Sequence, residues 1–274
     1  MLGSMDDRSS TRVARWRYVV PNAITSFSLL VGVMAAFRAT QGEFEAAGWL
    51  IVLSILLDKL DGTAARLLKS TSEFGMQLDS FADLVAFGIA PGFTAFCFIS
   101  KDPMGLFAWW HSVPGNIVLH AMIAVYILGS CLRLAKFNVL SEADGPKIFY
   151  GMPTTYAGGV TSLTLLVSLQ YTDIPFFVGV LRILPVIAML CGFAMVSNAV
   201  LPKVTTRTNR FVNAFQLVSL IGAYICGFTR HYPEYLFILM SGYGLVGFMW
   251  GFAHRGDFTD DDDHDHELDE APAH

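Results

Sequence analysis

The chain has 274 residues, of which 54% are apolar and 15% charged. That balance excludes an ordinary soluble domain of this size and points to a membrane protein. The formal charge of −5 says little about partners: the acids crowd a tail from Asp257 to Glu270, the remainder is basic on balance, and a basic face beside anionic headgroups calls for no nucleic-acid partner.

Crossing a hydrocarbon layer of about 30 Å takes roughly 20 mostly apolar residues. Stretches of that kind predict helices over 18–38, 44–67, 76–99, 115–136, 154–171, 175–199, 211–229 and 232–253. The expectation is an all-α integral membrane protein of about eight transmembrane helices. Residues 1–17 read as a polar cytoplasmic segment, 18–255 as the membrane domain and 256–274 as an acidic, disordered cytoplasmic tail. The first span does not read as a cleaved leader, since no small-residue cleavage site follows and another apolar span begins at once. Asp260, Asp261, Asp262, Asp263, His264, Asp265 and His266 of the tail could hold metal loosely, but their composition favours a solvated segment.

Lys and Arg crowd one set of flanks, from Arg8, Arg12, Arg15 and Arg17 through Lys59, Arg66 and Lys69 to Arg133, Lys136, Lys147, Lys203, Arg207 and Arg210. The alternate flanks hold Arg38, Lys101 and Arg230. Positive loops stay in the cytoplasm, so both termini are expected there. Cys97, Cys131, Cys191 and Cys226 fall inside apolar spans, where they pack as small hydrophobes and form no disulfides. Glycines such as Gly88, Gly92, Gly192 and Gly222 let helices approach closely, within one chain or across a dimer interface.

The informative stretch begins near the end of the second span with Asp58, Asp61, Gly62, Ala65 and Arg66, and continues through Ser72 and Gly75 to Asp79 and Asp83. Asp58 and Asp61 are three residues apart and Asp79 and Asp83 four apart, so each pair shares a helix face. A short turn between the two spans brings the faces together. Ionised groups at membrane depth are costly unless they meet a polar cavity or a partner, and four converging carboxylates repel one another unless a cation sits between them. Oxygen donors with no His or Cys nearby suit Mg²⁺ or Mn²⁺ better than zinc. The bland alternative, helix capping or pairing with Lys59, Arg66 or Lys69, explains one or two of these acids but not four at paired spacings. Intramembrane acids also mark metal or proton transporters; those spread acids along several spans toward both faces, whereas these crowd one mouth.

The residues fit the pattern D-x2-D-G-x2-A-R-x8-G-x3-D-x3-D without a gap, and on this motif the chain resembles the CDP-alcohol phosphatidyltransferase family. The resemblance implies a six-helix core with a cytoplasm-facing polar cavity, here with two further C-terminal helices, an inner-membrane location and a homodimer. It also implies a two-metal site: Asp58, Asp61 and Asp79 on one ion, Asp58, Asp79 and Asp83 on the other, with Asp83 doubling as general base. Asn22 and Thr25, after Pro21, match a pattern the family uses near the CDP-diphosphate, and Ser72 is implied as a nucleotide or phosphate contact. Gly62 and Gly75 then leave room for nucleotide, and Arg66 offers a planar fork for phosphate.

Two further stretches are similar to the membrane-embedded phosphatidylserine synthase branch. These are Ser72 to Pro91, and Leu132-Arg133-Leu134-Ala135-Lys136-Phe137-Asn138 with Phe149-Tyr150-Gly151-Met152-Pro153 after it. The branch implies CDP-diacylglycerol as donor and L-serine as acceptor, with Arg133, Lys136 and Asn138 as candidates for the serine carboxylate. Lys136 stands where the branch has Arg, keeping the charge without the bidentate fork. Inositol phosphate, glycerol phosphate and choline are the alternative acceptors. Lys203 could approach the site or anchor a loop.

Overall fold

The computed structural model describes residues 6–68, 70, 72–142, 149–197, 200–201 and 210–253. The acidic tail, Lys69, Lys147, Lys203 and Arg207 lie outside them. In chain order the helices are α1 (Asp6–Gln41), α2 (Phe44–Leu68), α3 (Glu73–Asp83), a π-helical segment (Leu84–Ile89), α4 (Ala90–Lys101), a 3₁₀ turn (Ala108–His111), α5 (Val113–Glu142), α6 (Thr154–Gln170), α7 (Pro175–Arg182), α8 (Leu184–Val196), α9 (Arg210–Thr229) and α10 (Pro233–Ala253). Residues placed ahead of the first span, from Asp6 on, are continuous with it in α1.

The described residues are helical apart from one two-residue antiparallel pairing, Phe149 with Leu201 and Tyr150 with Val200, and the short connections between elements. This small ladder ties the segment entering α6 to the one leaving α8. The Met152 N–H adds a bond to the Ala194 carbonyl at 3.0 Å.

Among the described residues, three helical stretches are long and apolar enough to cross a membrane: Arg17–Gln41, Glu73–Lys101 and Val113–Val139. The pair α7 and α8, bent by 56° at Ile183, makes a fourth if it is one span. The expected count of eight is not reached by length and composition, for identifiable reasons. Asp58, Lys59 and Asp61 interrupt the apolar run of α2, and α6 has 17 residues.

The helices pack as their sequences dictate. In α2, Trp49, Val52 and Leu56 recur at three- and four-residue intervals and are buried. In α1, Phe27, Leu30, Met34 and Phe37 recur the same way but are exposed, an outward stripe suited to lipid. Ser28 and Ser54 each donate a hydroxyl to the other's carbonyl at 3.2 Å, stitching α1 to α2 where no water would otherwise satisfy them. The helix α6 is buried on nearly every face, from Ala157 to Ser168.

The π segment begins directly after Asp83 and is held on three sides. A Cβ on Gly32 of α1 would lie 2.7 Å from the Ala86 Cα, so only a bare backbone allows that approach. From α5 the Tyr126 hydroxyl donates to the Phe87 carbonyl at 2.6 Å. Gly158 of α6 meets the Phe87 backbone.

Candidate active site

Four helices converge where α2 ends and α3 begins. On α1, Pro21 lacks an N–H and so frees the carbonyl one turn before it. It is followed by Asn22 and Thr25, whose hydroxyl is 3.0 Å from the Pro21 oxygen. On α2, Asp58 and Asp61 lie one turn apart near the helix end, followed by Gly62, Ala65 and Arg66. The α2 helix ends with the Ser70 N–H bonded to the Ala65 carbonyl at 3.0 Å.

The α3 helix starts at Ser72, an N-cap in extended backbone conformation whose Oγ accepts the Gly75 N–H at 3.1 Å. A serine hydroxyl is among the better N-caps because it satisfies one of the helix's free donors. A Cβ on Gly75 would come within 3.1 Å of that Oγ and 3.3 Å of Asn22 Oδ1. Gly75 therefore keeps open the crevice where α1 and α3 meet. Arg66 reaches back toward Gly62, its Nη2 donating to Thr63 Oγ1 at 3.3 Å, and its outer face is exposed.

The carboxylates meet here. One oxygen from each of Asp58, Asp61 and Asp79 lies within 4.8 Å of the others. Asp83 is outside that trio but abuts Asp58, the two carboxyl groups at hydrogen-bonding distance. Asp61 is 4% exposed; its carboxylate is within bonding reach of the Thr25 hydroxyl and the Gly62 N–H, while Oδ2 is buried with no partner among the described residues.

An orphaned oxygen beside two other carboxylates is what a hard cation satisfies, and three oxygen donors without sulfur or imidazole match the preference of Mg²⁺ or Mn²⁺. The residues present thus fit a divalent metal. The asymmetry within the four is equally plain: three oxygens are grouped, and the fourth acid stands to one side against one of them.

On α5, Arg133 faces the site. Its Nη1 donates to Thr154 Oγ1 at 3.3 Å, its guanidinium carbon lies 5.3 Å from the centre of the Phe137 ring, and it is within electrostatic reach of Asp83 and Asp58. A cation stacked on an aromatic face and held by a hydroxyl is fixed in direction. Lys136 is on the exposed side of the same helix. Asn138 is engaged by α3: its Nδ2 is 2.9 Å from Ser80 Oγ, which places its amide as a brace between α5 and the turn holding Asp79 and Asp83.

Three features went unseen in the sequence. Thr154, fully buried at the start of α6, holds Arg133. Ser70 is buried with a hydroxyl lacking a partner among the described residues. Tyr224 of α9 lies close to Asp58 and Asp61. Each is a common hydroxyl residue in an unremarkable local pattern, so no spacing could have singled it out.

The family model described as CDP-alcohol phosphatidyltransferase matches residues 18–196, the stretch holding all four aspartates and Arg133. The CDP-diacylglycerol–serine O-phosphatidyltransferase of Helicobacter pylori is 33% identical over 240 residues, covering 86% of this chain and 92% of the relative. The protein of the same name from Methanocaldococcus jannaschii is 26% identical over 233 residues, covering 85% of this chain and 95% of its own. That from Bacillus subtilis is 32% identical over 161 residues, 59% of this chain and 80% of its own. With its motif aspartates gathered at one helix junction and its sequence matched over most of its length, the chain belongs to the CDP-alcohol phosphatidyltransferase family.

Proposed function

We propose that this membrane enzyme transfers the phosphatidyl group of CDP-diacylglycerol to L-serine, giving phosphatidylserine and CMP. The observation that carries the chemistry is the gathering of Asp58, Asp61 and Asp79 within 4.8 Å with Asp83 standing apart against Asp58. The acceptor is assigned from relatives named for serine that align over nearly their whole length.

In this reading Asp58, Asp61 and Asp79 would hold one Mg²⁺ or Mn²⁺, and Asp58, Asp79 and Asp83 would hold a second. Bound metal supplies charge neutralisation to the diphosphate and to the departing CMP. The serine hydroxyl oxygen attacks the lipid-linked phosphorus; a new P–O bond to serine forms as the P–O bond to CMP breaks. Asp83, set apart from the trio, takes the hydroxyl proton.

Asn22, Thr25, Gly62, Ala65, Arg66, Ser72 and Gly75 line the CDP side, the glycines giving the nucleotide access to the backbone. Arg133, held by Thr154 and Phe137, is the fork for the serine carboxylate, with Lys136 and Asn138 flanking it. With α3 and α4 counted as one rod and α7 and α8 as another, the ten helices make eight rods that would each cross the inner membrane, with the site and both termini cytoplasmic and residues 18–255 forming the catalytic domain. The homodimer remains an expectation from the family alone.

A single screen tests the assignment. Purified protein given CDP-diacylglycerol and either Mg²⁺ or Mn²⁺ releases CMP with L-serine and not with inositol phosphate, glycerol phosphate or choline. Preference for one of those alcohols overturns the acceptor. No CMP release with any alcohol overturns the chemistry.

A further inference from the structure

The helices α9 and α10 lie beyond residues 18–196 matched by the family, and the proposed chemistry gives them no task. Yet α9 crosses α2 at close range. A Cβ on Gly227 would lie 2.4 Å from Leu56 Cδ1, and Ala223 and Cys226 pack with Trp49 and Val52.

At this crossing the Tyr224 hydroxyl donates to the Leu56 carbonyl at 2.9 Å. The ring stacks on Phe228 with centres 6.5 Å apart. Leu56 is two residues before Asp58, so the hydrogen bond grips the turn from which that carboxylate projects. The hydroxyl is also an electrostatic neighbour of both Asp58 and Asp61.

A tyrosine here is not demanded by packing. Residues 221–228 of α9 are otherwise apolar, and phenylalanine would fill the same space without a hydroxyl that must find a partner away from water. The bland role for such a hydroxyl is helix-to-helix adhesion, and the C-terminal pair of helices supplies an example: the Tyr235 hydroxyl donates to the Ser219 carbonyl at 3.2 Å, tying α10 to α9 by a bond that involves neither α2 nor α3. The two tyrosines make the same kind of bond. They differ in what the gripped backbone carries.

We propose that Tyr224 is a positioning residue of the metal site, fixing the α2 turn so that Asp58 and Asp61 present their oxygens to one cation, and that α9 is therefore a wall of the active site. The inference rests on the metal reading above. A hydrogen bond of ordinary net strength corresponds to about a threefold to tenfold change in a binding constant.

The test uses full-length protein, stripped of metal and titrated with Mn²⁺ in the absence of substrate, the free ion being followed by electron paramagnetic resonance. Y224F is expected to bind Mn²⁺ about threefold to tenfold more weakly. Y235F, which removes an equivalent hydroxyl, is expected to bind like the parent, and the two variants should melt within about 3 °C of each other in EDTA. Unchanged Mn²⁺ binding by Y224F overturns the proposal, as does an equal loss in Y235F. A parent protein that takes up no Mn²⁺ refutes the metal site itself and the role of Tyr224 with it, an outcome distinct from the other two.

Discussion

Replacing Asp61 by Asn should make the metal-free protein more stable and the metal-loaded protein less so. In the absence of cation Asp61 Oδ2 is buried without a partner among the described residues, beside oxygens of Asp58 and Asp79 within 4.8 Å. An unsatisfied buried polar group costs about 1–3 kcal/mol. Asparagine keeps the oxygen that faces Thr25 and Gly62, turns an N–H toward the neighbouring carboxylates, and removes one of three crowded charges. For chains of comparable size each kcal/mol moves the melting temperature by about 2–4 °C, so D61N in EDTA should melt at least about 2 °C above the parent.

Cation reverses the order. A ligand at a hundred times its dissociation constant stabilises the state that binds it by about 2.7 kcal/mol, so the parent should gain about 5–10 °C when Mg²⁺ or Mn²⁺ replaces EDTA. D61N should gain little. Thermal unfolding of detergent-solubilised protein with and without cation reads both halves at once. If D61N melts below the parent in EDTA and still rises with Mg²⁺ or Mn²⁺, Asp61 is a structural acid and the metal site is wrongly drawn.

Asp83→Asn is expected to retain CDP-diacylglycerol binding while losing turnover by roughly a hundredfold or more, the usual scale for removing a general base; equilibrium binding of the donor lipid set against CMP release separates the two, and near-normal turnover removes Asp83 from the proton-transfer role. Ser72 has two duties to be told apart. Ser72→Ala loses the N-cap and about 1 kcal/mol of stability, whereas Ser72→Asp keeps a capping oxygen and the melting temperature but sets a negative charge beside the diphosphate; a higher KM for CDP-diacylglycerol in S72D, with melting unchanged, is the expected signature, and an unchanged KM confines Ser72 to capping.

The aspartates were legible from the chain alone because their logic is local. Asp58 with Asp61 and Asp79 with Asp83 declare shared faces by spacing, and a short turn obliges the faces to meet. Helix positions were legible for the same reason, as apolar runs long enough to need burial or lipid. Arg133 was within reach of a motif argument, but its hold on Thr154 was not, since that contact joins residues 21 positions apart across two helices. Tyr224 was further still, bonded to a carbonyl 168 positions away. The bend at Ile183 and the pairing of Phe149 and Tyr150 with Val200 and Leu201 depend on how neighbouring rods lean, which periodicity does not encode. The contact of the Asn138 amide with Ser80 was equally out of reach, being set by the closeness of α3 and α5.

The widened turn at Leu84–Ile89 lets one rod keep two alignments. An α-helix advances about 100° per residue, and a π turn absorbs extra chain within a single revolution, so α4 is out of phase with α3. Before the segment, Asp79 and Asp83 look into the polar mouth. Beyond it, Ala90, Ala95, Phe98 and Ile99 are turned into the apolar packing. With Gly32, Tyr126 and Gly158 clamping the turn, it works as a fixed gear between the halves, and sequence drift in the membrane-buried half need not rotate the carboxylates out of the cavity.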